Sequence, residues 1–301
     1  MVDISTKLKS LQLENPTILA SGIMDEDAGS MKRVLRSGAA AVVTKSIGLQ
    51  PRIGHPNPSF VELECGILNA MGLPNPGINE YRKEIQEIKD ENGLIIGSIF
   101  GSSKQDFQQL AKDMQNAGVD ALELNVSCPH AKGYGLEIGQ DPNLVKTITS
   151  SVKKDVTIPV FVKLSSNVND IVEIAKAAEK GNADGIVAIN TVKAMSINID
   201  IAKPILANKI GGYSGKAIKP IGIRSVFDIY ENTQIPIIGV GGVTSGTDAI
   251  EYFMAGASAV QIGTAVYSRG IDVFRTICNE IKTWMKQHKY SSIKELCGVA
   301  H

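Results

Sequence analysis

The chain has little of what many specialised folds depend on. Its 31 lysines and arginines are matched by 31 aspartates and glutamates, so no net charge draws it to nucleic acid or to an anionic membrane surface. No apolar run approaches the roughly 20 residues needed to cross a bilayer, and the N-terminus lacks a basic segment leading into an apolar signal core. A cytoplasmic protein is expected. The four cysteines, Cys65, Cys128, Cys278 and Cys297, lie far apart. Without CxxC pairs or Cys/His clusters they do not read as zinc or iron–sulfur ligands, and a disulfide framework is not expected in a large cytoplasmic chain. Buried, inert cysteine is the default for each. Only Cys128, which follows a strand in polar surroundings, has reason to depart from it. His55, His130, His288 and His301 show no metal-ligand spacing and read as residues of the surface or behind a site.

What is present is enough apolar material for a large core: 43% hydrophobic against 21% charged residues in 301. Eight short apolar runs punctuate the chain, at 16–22, 40–46, 95–101, 121–126, 159–165, 185–190, 235–242 and 259–264. Several are almost continuously apolar, as parallel strands buried on both faces should be. Amphipathic stretches separate them. In 103–117, Phe107, Leu110, Ala111, Met114 and Ala117 share one helical face. Ser103 with Asp106 makes a capping box, and Gly118 is a suitable stop. Segment 245–255 repeats the design, with Ser245 as cap and Ile250, Phe253 and Met254 inward. Strand and helix alternating eight times predict a (β/α)8 TIM barrel, one domain over 1–301. A doubly wound sheet is the alternative, since strand order is not written in the sequence. Residues 1–15 are expected to form a small hairpin over the end opposite the mouth.

Spacing adds a functional clue. The longer gaps, roughly 47–78, 127–141 and 191–219, all fall between a strand and the helix after it, so in a barrel these insertions share the catalytic face. Polar residues gather at the same strand ends: Ser21 and Gly22, then Thr44, Lys45 and Ser46, then Asn125, Lys163, Asn190 and Thr191. Two lysines and two asparagines aimed at one mouth are hard to dismiss as solvated strand ends.

The run Gly239 to Gly246 joins the seventh strand to a helix, and Gly263-Thr264 ends the eighth. Glycines there let backbone amides approach an anion, and the following helix N-terminus adds a favourable dipole; a pair of tight turns is the alternative. The run is not a dinucleotide fingerprint, which would need glycine at Thr244. Lys45 and Lys163 on apolar strands would have buried stems, so their ammonium groups must meet something anionic, such as a phosphate-bearing cofactor or a carboxylate substrate. A Schiff-base role is open for either, which leaves a lyase as a reading from a different class. A non-catalytic phosphate-binding barrel is a third. The turn-rich stretch Asn69 to Gly77 should fold back over the mouth. Asn69 either contacts a planar polar ligand or satisfies its own loop.

Taken together and in order, Thr44-Lys45-Ser46, Asn69 to Leu73, Asn125-Val-Ser-Cys-Pro129, Lys163, Ile189-Asn-Thr191, Gly211 to Gly215, Gly241-Gly242 and Gly263-Thr264 resemble the dihydroorotate dehydrogenase family over essentially the whole chain. Cysteine at 128, where the membrane-associated branch has serine, is similar to the soluble class, and Gly211 to Pro220 resembles its NAD-linked branch (class 1B). The resemblance implies FMN as cofactor and oxidation of dihydroorotate to orotate in pyrimidine synthesis, with a hydride passing from C6 to flavin N5. Cys128, in a loop able to close over the ligand, would take the C5 proton, and Lys163 would stabilise charge on reduced flavin. Lys45, Asn69, Ala70, Met71, Gly72, Leu73, Asn125, Asn190 and Thr191 would bind substrate. Ser21, Lys45, Ser46, Asn125, Lys163, Ile189, Gly215, Gly241, Gly242, Gly263 and Thr264 would bind FMN. It also implies a homodimer of catalytic chains within a heterotetramer whose second subunit carries FAD and an iron–sulfur centre. A fumarate-using enzyme without that partner, or a dihydrouracil dehydrogenase, is the nearest rival. One position departs from the family: Ser98 stands where asparagine is often found, so a flavin contact there is in question.

Overall fold

The structure, a computed structural model, describes residues 2–127 and 136–301. All eight expected strands form, as β1 (Thr17–Leu19), β2 (Ala41–Val43), β3 (Ile95–Ile99), β4 (Ala121–Asn125), β5 (Val160–Leu164), β6 (Gly185–Ala188), β7 (Ile237–Val240) and β8 (Ala257–Ile262). Every neighbouring pair is parallel, and β8 closes onto β1. Closure in sequence order removes the doubly wound alternative and makes the fold a (β/α)8 barrel.

Between successive strands lie α1 (Ala28–Arg36), α2 (Ile78–Lys89), α3 (Lys104–Ala117), α4 (Pro142–Asp155), α5 (Ile171–Lys180), α6 (Lys219–Asn232) and α7 (Gly246–Met254), and α8 (Val273–Gln287) follows β8. Local chemistry sets their ends. At α3 the Ser103 side chain accepts from the Asp106 amide while Asp106 accepts from Ser103, and Gly118 closes the helix at φ +97°. Ser245 caps α7 in the expected way, with Ile250 and Phe253 buried and Met254 half-buried.

Side chains alternate between two cores, as strand geometry requires. Outward residues such as Leu19, Val42, Ile95, Leu122, Val162, Ile186 and Ile237 pack under the helices. Inward ones, Ile18, Ala41, Val43, Ile96, Ala121, Phe161, Val187, Ile238 and Ala259, meet Leu8, Leu11 and Leu13. Those leucines belong to an antiparallel N-terminal hairpin of Thr6–Leu8 and Leu11–Leu13, which plugs the end opposite the mouth as expected. Two positions further along the same inward rows, apolar side chains give way to Ser98, Glu123, Lys163 and Gln261, all buried. The barrel therefore has an apolar lower layer and a polar upper one.

Two of the long insertions do more than cover the mouth. Phe60–Leu63 and Gly66–Asn69 from the insertion after β2 pair with Gly211–Ser214 and Val192–Ala194 from the insertion after β6, in one four-stranded antiparallel sheet. Asn69 sits opposite Gly212 in that sheet, and Leu68, Ala70 and Leu206 form its own small core. The cysteine default does not hold throughout: Cys278 is buried, but Cys65 is exposed in the turn between two strands of this sheet, where no packing surface covers it.

Candidate active site

A cavity of about 500 Å³ opens at the C-terminal ends of the barrel strands, within the size range of cofactor sites. Its wall brings together Ser21, Lys45, Ser46, Asn69, Met71, Gly72, Leu73, Asn125, Lys163, Ile189, Asn190, Thr191, Gly215, Gly241, Gly242, Gly263 and Thr264. Ala70 is not among them. Strand alternation turns it away from its neighbours Asn69 and Met71, and it is buried with Leu68 and Leu206 behind the wall. Cys128 lies outside the described residues, as do residues 128–135 of the insertion expected at 127–141.

The floor is made of charge. Lys163 Nζ donates to Gln261 Oε1 at 2.7 Å and stands 3.5 Å from Glu123 Oε1, while Gln261 Nε2 donates to Glu123 Oε2 at 2.6 Å. These residues are 5%, 1% and 1% exposed for Lys163, Gln261 and Glu123. The anion that Lys163 needs is thus supplied by the chain itself. Neither Glu123 nor Gln261 was singled out from sequence. The available signal was parity: Glu123 lies two residues before Asn125, on the same inward row of an otherwise apolar strand.

Above the floor a hydrogen-bonded chain crosses the strand ends. Ser98 and Ser46 share a bond at 2.8 Å between hydroxyls, and Asn125 Nδ2 donates to Ser46 Oγ at 2.9 Å. Asn125 Oδ1 accepts from the amide and hydroxyl of Ser127 at 3.2 and 3.1 Å, and Asn190 Nδ2 donates to Ser127 Oγ at 2.8 Å. Ser98 therefore does not reach the cavity; it holds Ser46, which does. Each asparagine is held at both ends of its amide, Asn190 Oδ1 also accepting from the Thr191 amide at 2.7 Å, and each keeps one N–H for a ligand.

Lys45 also meets a carboxylate of the chain, forming an ion pair with Glu26. Beside it, the buried Asp25 accepts from the Gly22 amide at 2.5 Å. Burial pushes Asp25 up to about 6, against the downward pull of the Gly22 bond and the Lys45 charge. Between the ordinary value of 3.8 and about 6 the folded chain holds a proton that the unfolded chain has lost. Stability from this group therefore falls as pH rises through that window, by about 3 kcal/mol in all. Asp25→Asn, which keeps an acceptor for Gly22, should flatten the decline between pH 4 and 6 in urea titrations; an unaltered pH profile would show that Asp25 titrates normally.

The anion end lies at β7 and β8. Gly242 has φ +68°, and a Cβ there would stand 2.8 Å from Lys219 Cβ and 2.9 Å from the Gly215 carbonyl, so only glycine lets the turn after β7 meet the segment that leads into α6. The amides of Gly242, Val243 and Gly263 find no acceptor among the described residues; Val243 is buried and the two glycines are half-buried on the cavity wall, where a bound anion can take up such donors. Thr264 Oγ1, bonded to Ser214 Oγ at 2.9 Å, adds a hydroxyl. The N-terminus of α7 contributes less than its sequence suggests. Thr244 donates to Asp248 at 2.9 Å and Gly246 to Glu280 at 2.5 Å, so carboxylates already occupy that turn. Burial would raise Asp248, but Lys219 and Thr244 outweigh it and hold the group at about 2.

Fold and site define a (β/α)8-barrel protein with a cation-floored, amide-lined pocket suited to a phosphate-bearing cofactor. Comparison with known proteins narrows this. The family model for dihydroorotate dehydrogenase matches residues 3–285, and the chain belongs to that family. It is 55% identical over 302 residues, covering 99% of this chain and 98% of the relative, to the dihydroorotate dehydrogenase B (NAD(+)) catalytic subunit of Methanocaldococcus jannaschii. It is 52% identical over 300 residues to the protein of the same description from Thermoplasma acidophilum, covering 100% and 99% of the two chains. The Pyrococcus furiosus protein so described is 50% identical over 299 residues, with 99% of each chain covered.

Proposed function

We propose that this chain, as one FMN-binding barrel domain over 1–301, oxidises dihydroorotate to orotate in pyrimidine nucleotide synthesis. Its electrons would pass to NAD through a partner subunit carrying FAD and an iron–sulfur centre, the catalytic chains being paired within a heterotetramer in the cytoplasm. The observation that supports the reading is the convergence, in one cavity, of amides at Gly242, Val243 and Gly263 that find no acceptor among the described residues with Lys163 and the oriented Asn125 and Asn190. The residues fit the cofactor: the amides and Thr264 would hold its phosphate, and Lys163 would face the ring. Bound FMN supplies the acceptor for the hydride that leaves C6.

The chain's own residues do the rest. Asn69, Asn125 and Asn190 hold the edges of the pyrimidine by neutral hydrogen bonds. Lys45 exchanges its exposed partner Glu26 for the substrate carboxylate, which a dihydrouracil dehydrogenase would not require. Cys128 takes the proton from C5. A lysine engaged as Lys163 is, by Glu123 and Gln261, is poorly placed to attack a carbonyl, which weighs against the Schiff-base reading.

Anaerobic dihydroorotate should bleach the 450 nm band of the FMN-loaded chain. Bleaching by dihydrouracil and not by dihydroorotate would transfer the assignment to the rival dehydrogenase, and a colourless protein unable to take up FMN would end the flavin reading. NAD reduction only after the partner subunit is added would support the partner; turnover with fumarate alone would remove the need for it.

A further inference from the structure

We propose that Glu123, acting through Gln261, is a positioning residue that fixes Lys163 and sets how strongly the site favours reduced over oxidised flavin. The inference rests on the FMN reading given above and extends it to residues behind the ring-facing lysine. The lysine ammonium has three donors. One goes to Gln261 Oε1 and a second faces Glu123 at 3.5 Å, which leaves the third for the cavity. Gln261 cannot turn, because its amide donates to Glu123 at 2.6 Å while its carbonyl accepts from Lys163. The position of Nζ is therefore set from two strands at once, β4 and β8, independently of the β5 backbone that carries it.

The carboxylate has a second consequence. All three side chains line the cavity and are almost wholly buried, where solvent screens poorly and charge acts over several ångströms. A ligand above the floor meets an ammonium group backed by a carboxylate. Reduced flavin, which gathers negative charge, gains from the lysine and loses to Glu123. The floor so built holds the cofactor's potential below the value that Lys163 alone would give. That suits a site that must pass its electrons onward. A purely structural role, keeping a buried lysine neutralised, predicts no such dependence.

The test uses near-isosteric changes of opposite sign in the FMN-loaded chain, read by spectroelectrochemical titration of bound FMN. Glu123→Gln should favour reduced over oxidised FMN about tenfold more than the parent does, an upward shift of about 30 mV for a two-electron couple. Gln261→Glu, whose carboxylate stands 2.6 Å from Glu123 and shares a proton with it near neutral pH, should shift the potential downward by a similar amount in alkaline titrations, where that proton is lost. The exchanged pair E123Q/Q261E, with one carboxylate and one amide restored, should return close to the parent. Structural loosening would move the single variants in the same direction. A common direction, or potentials equal to the parent with FMN bound, overturns the proposal. If E123Q alone does not fold, Q261E and the exchanged pair carry the same test. A parent chain that takes up no FMN overturns the flavin reading itself, and the proposal with it.

Discussion

Cys128→Ala is expected to keep FMN bound while slowing its reduction by dihydroorotate by about 10²–10⁴-fold at neutral pH, the range that general base catalysis contributes. The phosphate end of the cavity is built from β7 and β8, so removing a thiol that follows β4 takes nothing from the cradle. The residue just before it is well anchored: Ser127 is fully buried and bonded to both Asn125 and Asn190. Those two asparagines are the ones proposed to hold the pyrimidine, and Cys128 follows their shared partner Ser127 in the sequence. A free thiol has an ordinary pKa of about 8.5, so a fraction of thiolate is present at pH 7 and rises with pH. Cys128→Ser should retain less of that rate at neutral pH, because the hydroxyl is a far weaker acid. Stopped-flow bleaching at 450 nm under anaerobic conditions separates binding from chemistry. Reduction at the parental rate in Cys128→Ala would remove the cysteine from the mechanism and direct attention to a water held by Ser127.

Much of this architecture was legible in the sequence because its determinants are local. The inward and outward alternation of strands, the Ser103 and Ser245 caps and the plugging hairpin each depend on residues a few positions apart. The glycine turns belong with them, since a positive φ at Gly242 is a property of one residue. Pairings made across the chain were not legible. Gly66–Asn69 joins Gly211–Ser214, and nothing in either stretch names the other, so two loops were expected where one sheet exists. Glu123 and Gln261 stand 138 positions apart. Each read as an incidental polar residue in a strand until closure of the barrel put them side by side. That a carboxylate already takes the Gly246 amide at the start of α7 was hidden for a related reason: Glu280, which accepts from it, comes from α8.

The two lysines now separate in character. Glu26, the partner of Lys45, is 75% exposed at its side chain, and exposed pairs contribute only about 0–1 kcal/mol. Replacing Glu26 by a substrate carboxylate therefore costs little, and Lys45 is free to bind and release. Lys163 has no such freedom, since its partners are sealed beneath it. One lysine is arranged to exchange anions, and the other to stay fixed while charge changes above it.

Lys163→Met is accordingly expected to be among the most destabilising single substitutions in the chain. Methionine fills similar space along the stem, so the loss is electrostatic. Glu123 would keep its bond from Gln261 but lose the cation 3.5 Å away, while remaining 1% exposed. Breaking a buried pair from one side costs about 3–5 kcal/mol, a large share of the 5–15 kcal/mol that is typical of folded proteins. Removing both charges is a different matter. In Lys163→Met/Glu123→Gln no charge is stranded, and the two amides at 123 and 261 can still bond, so much of the lost stability should return. Urea unfolding of the cofactor-free chains would measure this cycle without interference from FMN. A double variant no more stable than Lys163→Met would mean that the penalty lies in packing around position 163 and not in the carboxylate beneath it.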